Sequence, residues 1–261
     1  MEVATHQSTN GQQPLLEARN LTKEYEDGNL ALDHLNLEVQ AGQIYTMLGG
    51  NGAGKTTTIN LFLNFIEPTS GEAKINGIIT HKDPLEAKKH VAFVSEQVRL
   101  YTGFTAVQNL DYFARLGGRN DYSKKDYRDV LLRVGLQEDA HNKRLKGFSK
   151  GMQQKCGIAI AILKDAPAIL LDEPTSGLDP KAGLEFMRLL DELRSSGKAI
   201  LMSTHDIFRA KDIADVIGIM NKGKLVMQRT SREIEGENLE KLYVEHMAGY
   251  MDQPEAEAVH A

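Results

Sequence analysis

With 261 residues and a formal net charge of -5, the chain is long enough for a sizeable α/β core and lacks the basic balance of a nucleic-acid binder, so no nucleic-acid partner is expected. The single cysteine, Cys156, excludes an internal disulfide, and the eight histidines show no metal-ligand spacing with it or with one another. No apolar run nears the roughly 18 residues needed to cross a bilayer, and residues 1–13 are polar without a signal-peptide pattern, which reads as a disordered leader on a soluble, cytoplasmic chain.

Between Leu15 and Gln40 the apolar residues alternate or cluster in short runs, which predicts two strands joined through the polar link Tyr25–Asn29. Tyr25 is the one aromatic residue between the leader and the next strand; its ring can stack on a base or close over a sheet edge. Ile44–Leu48 reads as a strand. After it, Gly49-Gly50-Asn51-Gly52-Ala53-Gly54-Lys55-Thr56-Thr57 fits G-x-x-x-x-G-K-[ST], a loop whose backbone N–H groups cradle phosphate oxygens while Lys55 adds charge. Ile59, Phe62, Leu63 and Ile66 then recur at helical spacing. The order strand, loop, helix aims a helix N-terminus, with its unpaired N–H groups and positive dipole end, at the bound phosphate.

Pro68–Gly71 reads as a turn, Ala73–Gly77 as a short strand and a second turn, and Val91–Val94 as a strand ending in Ser95-Glu96-Gln97. From Thr105 to Leu163 the pattern is helical, first through Val107, Leu110, Phe113 and Ala114, then from an N-cap at Ser123 with Asp126 into Tyr127, Val130, Leu131 and Val134. Phe148–Gln154 reads as a polar turn opening into a buried helix over Ile158–Leu163, with Ser149 in the N-cap place. A serine-bearing helix start is an anion site in principle, although most cap only their own helix.

Ala168–Leu171 predicts a buried strand ending in Asp172-Glu173-Pro174. Adjacent carboxylates at the C-terminal end of a parallel strand lie where doubly wound sheets bind ligands. Downstream of a phosphate loop they supply an Asp to orient Mg²⁺ with Thr56 and a Glu to polarise an attacking water. A helix follows from Pro180 to Leu193, then a strand over Ala199–Met202 that ends in Ser203-Thr204-His205-Asp206. His205 there can hydrogen-bond a γ-phosphate or the water, or simply cap the next element. Val216–Met220 and Leu225–Met227 predict a hairpin across Lys222-Gly223; Leu239, Leu242, Tyr243 and Met247 predict a last amphipathic helix before an acidic tail.

From about Leu15 to Tyr250 the order of these motifs resembles the nucleotide-binding subunit of the ATP-binding-cassette (ABC) transporter family. Tyr25 stands at the adenine-stacking place and Gly49–Thr57 at the Walker A place. Glu96 stands at the Q-loop place with Gln97 beside it, and Phe148–Gln153 at the signature. Asp172 and Glu173 stand at Walker B, Ser176–Asp179 at the D-loop, and His205 at the switch. The resemblance implies an α/β P-loop NTPase with a mostly parallel core sheet, an N-terminal antiparallel β subdomain and an inserted helical subdomain at about 98–165, the ATPase domain spanning 14–230 and a C-terminal helix and tail 231–261. It implies ATP and Mg²⁺ as cofactors, with Tyr25, the loop Gly49, Gly50, Asn51, Gly52, Ala53, Gly54, Lys55, Thr56 and Thr57, and Ser149 and Gly151 binding the nucleotide. Thr56 and Asp172 would hold the metal, with Glu96 or Gln97 reaching it. Lys55, Glu173 and His205 would carry the chemistry, and Asp179 would pass information between two copies.

Two such chains, or one with a similar ATPase, would close head to tail over two ATP molecules, each held by one chain's Walker A loop and the other's signature helix. The cassette would sit on the inner face of the cell membrane through separate permease subunits, touching them near 96–110. The signature reads Phe-Ser-Lys-Gly-Met, with Lys150 and Met152 off the family pattern, and the Q-loop place holds a glutamate. Both departures are similar to small exporters of drug-, sodium- and polysaccharide-efflux or copper-site-maturation type. The alternatives are a soluble ABC ATPase acting on ribosomes or DNA, against which stand the single P-loop and the absence of a heptad run, and a short importer ATPase.

Overall fold

The computed structural model describes residues 13–248; of the expected leader, 1–13, only Gln13 is described, and the expected acidic tail, 252–261, lies outside the described residues. Two sheets carry the chain. Strands β1 (Leu16–Glu24), β2 (Leu30–Val39), β4 (Ser70–Ile75) and β5 (Ile78–Ile79) form an antiparallel sheet in the order β2-β1-β4-β5. Strands β3 (Ile44–Leu48), β6 (Val91–Val94), β7 (Ala168–Asp172), β8 (Ala199–Thr204), β9 (Val216–Asn221) and β10 (Lys224–Thr230) form the second, in the order β10-β9-β3-β8-β7-β6. All its neighbours are parallel except the β9–β10 hairpin at one edge.

β8 and β9 are buried at every position and β3 throughout, as expected of parallel strands covered on both faces. Period-2 alternation then assigns the faces. Ala168, Leu170, Ala199 and Leu201 turn toward a core shared with Leu16, Leu21, Leu35 and Leu37 of the antiparallel sheet and with Ile59 and Phe62 of helix α1 (Lys55–Phe62). Ile169, Leu171, Ile200 and Met202 turn the other way, toward the helices.

After β5 comes the short helix α2 (Pro84–Lys89), which the apolar pattern did not predict. Its signal is local: Asp83 accepts the Glu86 N–H at 3.2 Å and proline occupies the first turn. Between the sheet neighbours β6 and β7 the crossover swells into α3 (Ala106–Leu116), α4 (Lys124–Arg133), two 3₁₀ turns at Glu138–Ala140 and Leu145–Gly147, and α5 (Lys150–Lys164). α3 and α4 both start in capping boxes, at Thr105 with Gln108 and at Ser123 with Asp126. Leu110, Tyr127, Leu131, Cys156 and Ile158 bury their side chains together against Phe186 and Leu190 of α6 (Pro180–Ser195). The last helices are α7 (Ile207–Ile213) and α8 (Leu239–Ala248), and no helix among the described residues is long and apolar enough to cross a membrane.

Two expectations are corrected. Ser70 and Gly71, expected within a turn, already belong to β4, because pairing of Ser70 with Thr22 of β1 across a bulge overrides local turn chemistry. The polar turn expected over Phe148–Gln154 ends at Ser149, whose hydroxyl accepts the Met152 N–H at 3.2 Å and so starts α5 at Lys150.

Candidate functional site

Because β3, β7 and β8 are parallel neighbours, their C-terminal ends open on one edge of the sheet, and the loops that leave them meet there. The loop after β3 is held from behind. Gly49 donates its N–H to the Thr204 carbonyl at 3.3 Å, and a Cβ at Gly49 would stand 2.6 Å from the Met220 carbonyl oxygen. Gly54 adopts φ 103° and a Cβ there would stand 2.8 Å from the Ala31 carbonyl oxygen, so β2 itself forms the loop's wall and glycine is required twice over. Gly50 and Gly52 face open space.

α1 differs from its fellow helices at the N-terminus. Side chains of Asp83, Thr105, Ser123, Ser149, Asp179, Asp206 and Asn238 accept backbone N–H groups at the starts of α2 to α8; at α1 the cap is Gly54 and no side chain takes that role. The first-turn N–H groups and the positive dipole end are therefore offered to a ligand. Inside the loop lies the Lys55 ammonium, 2.6 Å from the Gly49 and 3.1 Å from the Gly50 carbonyl oxygen, and 3.5 Å from Glu173. Only 6% of Lys55 is exposed, which makes its charge effective because solvent screens it little.

The neighbouring strand ends bring in the acids. The Thr56 hydroxyl donates to the Asp172 carboxylate at 3.1 and 3.2 Å. Asp172 also accepts from the Ser203 hydroxyl at 2.6 Å, and that same Ser203 oxygen accepts the Glu173 N–H at 3.0 Å. Glu173 sits at φ 46°, a left-handed conformation uncommon for a residue with a Cβ, and its carboxylate bridges Lys55 on one oxygen and His205 Nδ1, at 2.9 Å, on the other. Ser203 carried no role in the sequence reading; its position at the end of a buried strand between the two acids is visible only once β7 and β8 are paired.

Most of the remaining expected residues make no bond to this cluster. Tyr25 lies in the β1–β2 turn, 37% exposed, with the Lys23 ammonium 5.3 Å from its ring centre. Ser149 and Gly151 form the first turn of α5, against Leu178. Among the described residues neither Glu96 nor Gln97 bonds Thr56 or Asp172: Glu96 is held by Lys150 and Ser176, while the Gln97 carbonyl accepts the Ser95 hydroxyl. Asp179 caps α6 through the Ala182 N–H at 2.9 Å. Asn51, Ala53 and Thr57 complete the loop and the first turn of α1.

Comparison with known proteins agrees with this geometry. The ABC transporter family model matches residues 32–176. The bacitracin transport ATP-binding protein BcrA of Bacillus licheniformis is 39% identical over 214 residues, covering 81% of this chain and 68% of the relative. The Nod factor export ATP-binding protein I of Cupriavidus metallidurans is 31% identical over 220 residues, covering 84% of this chain and 72% of the relative. Among solved structures, the dimeric post-hydrolysis state of the ATP-binding cassette MJ0796, bound to ADP and Pi, superposes with a TM-score of 0.76 at 31% identity, covering 83% of this chain and 99% of that one. An uncapped phosphate-loop helix, an acid pair on the adjoining strand and this set of likenesses lead to one conclusion: the chain belongs to the ABC transporter family and is an ATP-binding, ATP-hydrolysing subunit of it.

Proposed function

We propose that this subunit drives export, hydrolysing Mg-ATP at the C-terminal edge of its parallel sheet while attached, on the inner face of the membrane, to separate permease subunits. The observation that carries the catalytic part is the Glu173 carboxylate, fixed between Lys55 and His205 and next to the Thr56–Asp172 pair. Export is supported by relatives named for bacitracin transport and Nod factor export.

Thr56 and Asp172 present hydroxyl and carboxylate oxygens side by side, a hard-donor pair that suits Mg²⁺, which keeps several waters and needs few protein ligands. When bound, the ion would neutralise phosphate charge. Lys55 exchanges its two loop carbonyls for phosphate oxygens, which its buried, positive position favours. Glu173 orients the attacking water and accepts its proton, and His205 holds the carboxylate by its second oxygen and stands ready to contact the γ-phosphate. Ser203 keeps both acids in register through one hydroxyl.

The paired state follows the same logic. The cassette likeness bound to ADP and Pi is dimeric, and here Ser149 and Gly151 stand at a helix start away from the chain's own phosphate loop, available to a nucleotide held by a second copy. Residues 14–230 then act as the ATPase domain, with the helices of 98–165 moving as a body. Tyr25, in the turn of a hairpin whose second strand walls the P-loop, would stack on the adenine. A permease segment would meet the exposed rings of Tyr101, Phe104 and Tyr112, the last two lining an open groove of about 410 Å³ with Arg115 and Leu116.

Glu173→Gln tests the central assignment. ATP affinity should stay within about twofold while turnover falls on the order of a thousandfold, the usual weight of a general base. Size-exclusion chromatography with Mg-ATP should then show a paired species; hydrolysis near the wild-type rate would overturn the assignment.

A further inference from the structure

A second polar cluster lies beside the ATPase site and joins three segments. Lys150, the first residue of α5, holds its ammonium 3.5 Å from Glu96, beyond β6, and 3.4 Å from the Ser176 hydroxyl in the loop after β7. Ser176 closes the triangle by donating to Glu96 at 3.1 Å. The packing beneath is close: a Cβ at Gly177 would stand 3.2 Å from Lys150 Cδ, and one at Gly151 3.3 Å from Leu178. The triangle also reaches the catalytic turn, because the Ser176 N–H donates to the Glu173 carbonyl at 3.1 Å.

We propose that Lys150, Glu96 and Ser176 form a clamp that positions Glu173, so that the lysine and the glutamate replacing the family's usual signature and Q-loop residues act as one matched pair. The inference rests on Glu173 acting on the water. Its physical basis is that Glu173 occupies a left-handed conformation that it would not keep unaided. The Ser203 hydroxyl holds the turn at its nitrogen and Ser176 holds it at its carbonyl. Ser176 in turn is fixed only as well as its hydroxyl is, and that hydroxyl lies between a carboxylate and an ammonium. Glu96 lies where the helical crossover leaves β6 and Lys150 starts its last helix, so the clamp ties that insertion to the catalytic loop. Both side chains are nearly half exposed, 46% and 45%, so the coupling should be modest, a factor of about two to five, as for partly exposed ion pairs.

The test is a double-mutant cycle on the full chain, with E96Q, K150Q, S176A and E96Q/K150Q, and with the exchanged pair E96K/K150E. Each single variant should lower kcat about fivefold with KM for ATP within twofold. E96Q/K150Q should be no slower than the worse single, and the exchanged pair should recover at least half of the loss. Hydrogen–deuterium exchange of the segment 172–178 should be faster in all three singles, with the melting temperature unchanged within about 2 °C. Multiplying losses in E96Q/K150Q, or a K150Q variant that is silent while E96Q is slow, would overturn the clamp and return Glu96 to a role independent of Lys150. The exchange measurement needs no turnover: unchanged exchange in 172–178 overturns the clamp, whereas faster exchange with a near-normal rate in Glu173→Gln would leave the clamp standing and remove the catalytic reading.

Discussion

Helices α1 and α5 both carry a lysine directly after a small cap residue, yet their N-termini are finished differently. At α1 the cap is a glycine at φ 103° and no side chain takes the first-turn N–H groups; at α5 the Ser149 hydroxyl accepts from Met152. The first helix start is built for an external anion. At the second the Ser149 oxygen already accepts an N–H of its own helix, which leaves the hydroxyl hydrogen to donate elsewhere. That asymmetry fits the proposed pairing, in which each copy would offer one complete and one complementary half-site.

Four substitutions sharpen or break the contrast. Lys55→Ala removes the buried ammonium of the complete half-site and should weaken ATP binding about a hundredfold, roughly 3 kcal/mol, by equilibrium titration with a fluorescent nucleotide; unchanged affinity would dissolve the contrast. Gly54→Ala places a Cβ 2.8 Å from a β2 carbonyl at a φ that only glycine adopts readily. It should cost about 3 kcal/mol in urea-denaturation stability and reduce nucleotide affinity with it. Ser149→Arg fills the complementary half-site and should abolish ATP-driven pairing in chromatography while the isolated chain still binds nucleotide; a normal paired species would count against the trans arrangement. Ser149→Ala, the mildest, should cost about 1 kcal/mol as a lost helix cap and lower the melting temperature by roughly 2–4 °C. A larger loss would mean that the hydroxyl does more for the folded chain than cap α5.

Other contrasts between regions have similar causes. α4 and α6 start where the sequence predicts, because a capping serine with its acidic partner and a proline in the first turn are signals contained in a few adjacent residues. α2 carried the same kind of signal in Asp83-Pro84, and its single buried apolar position, Ala87, was too little for periodicity to register. At Ser70 and Gly71 local turn chemistry lost to pairing with β1, an interaction between segments far apart in the chain.

Sequence alone determined the phosphate loop, its flanking strand and helix, and the acid pair after a buried strand, because each is a contiguous run whose chemistry is complete within about ten residues. The tertiary structure decided which of these runs meet. The sheet order places β8 between β3 and β7, out of chain order, and that placement puts Ser203 between Asp172 and Glu173, His205 on the glutamate, and Thr56 on the aspartate. It also decided that Lys150 spans to Glu96 and Ser176, since only the folded crossover brings the start of its last helix back beside β6 and the loop after β7. Periodicity records which face of a strand is buried; it carries no information on which strand lies beside it, and the site is made of neighbours.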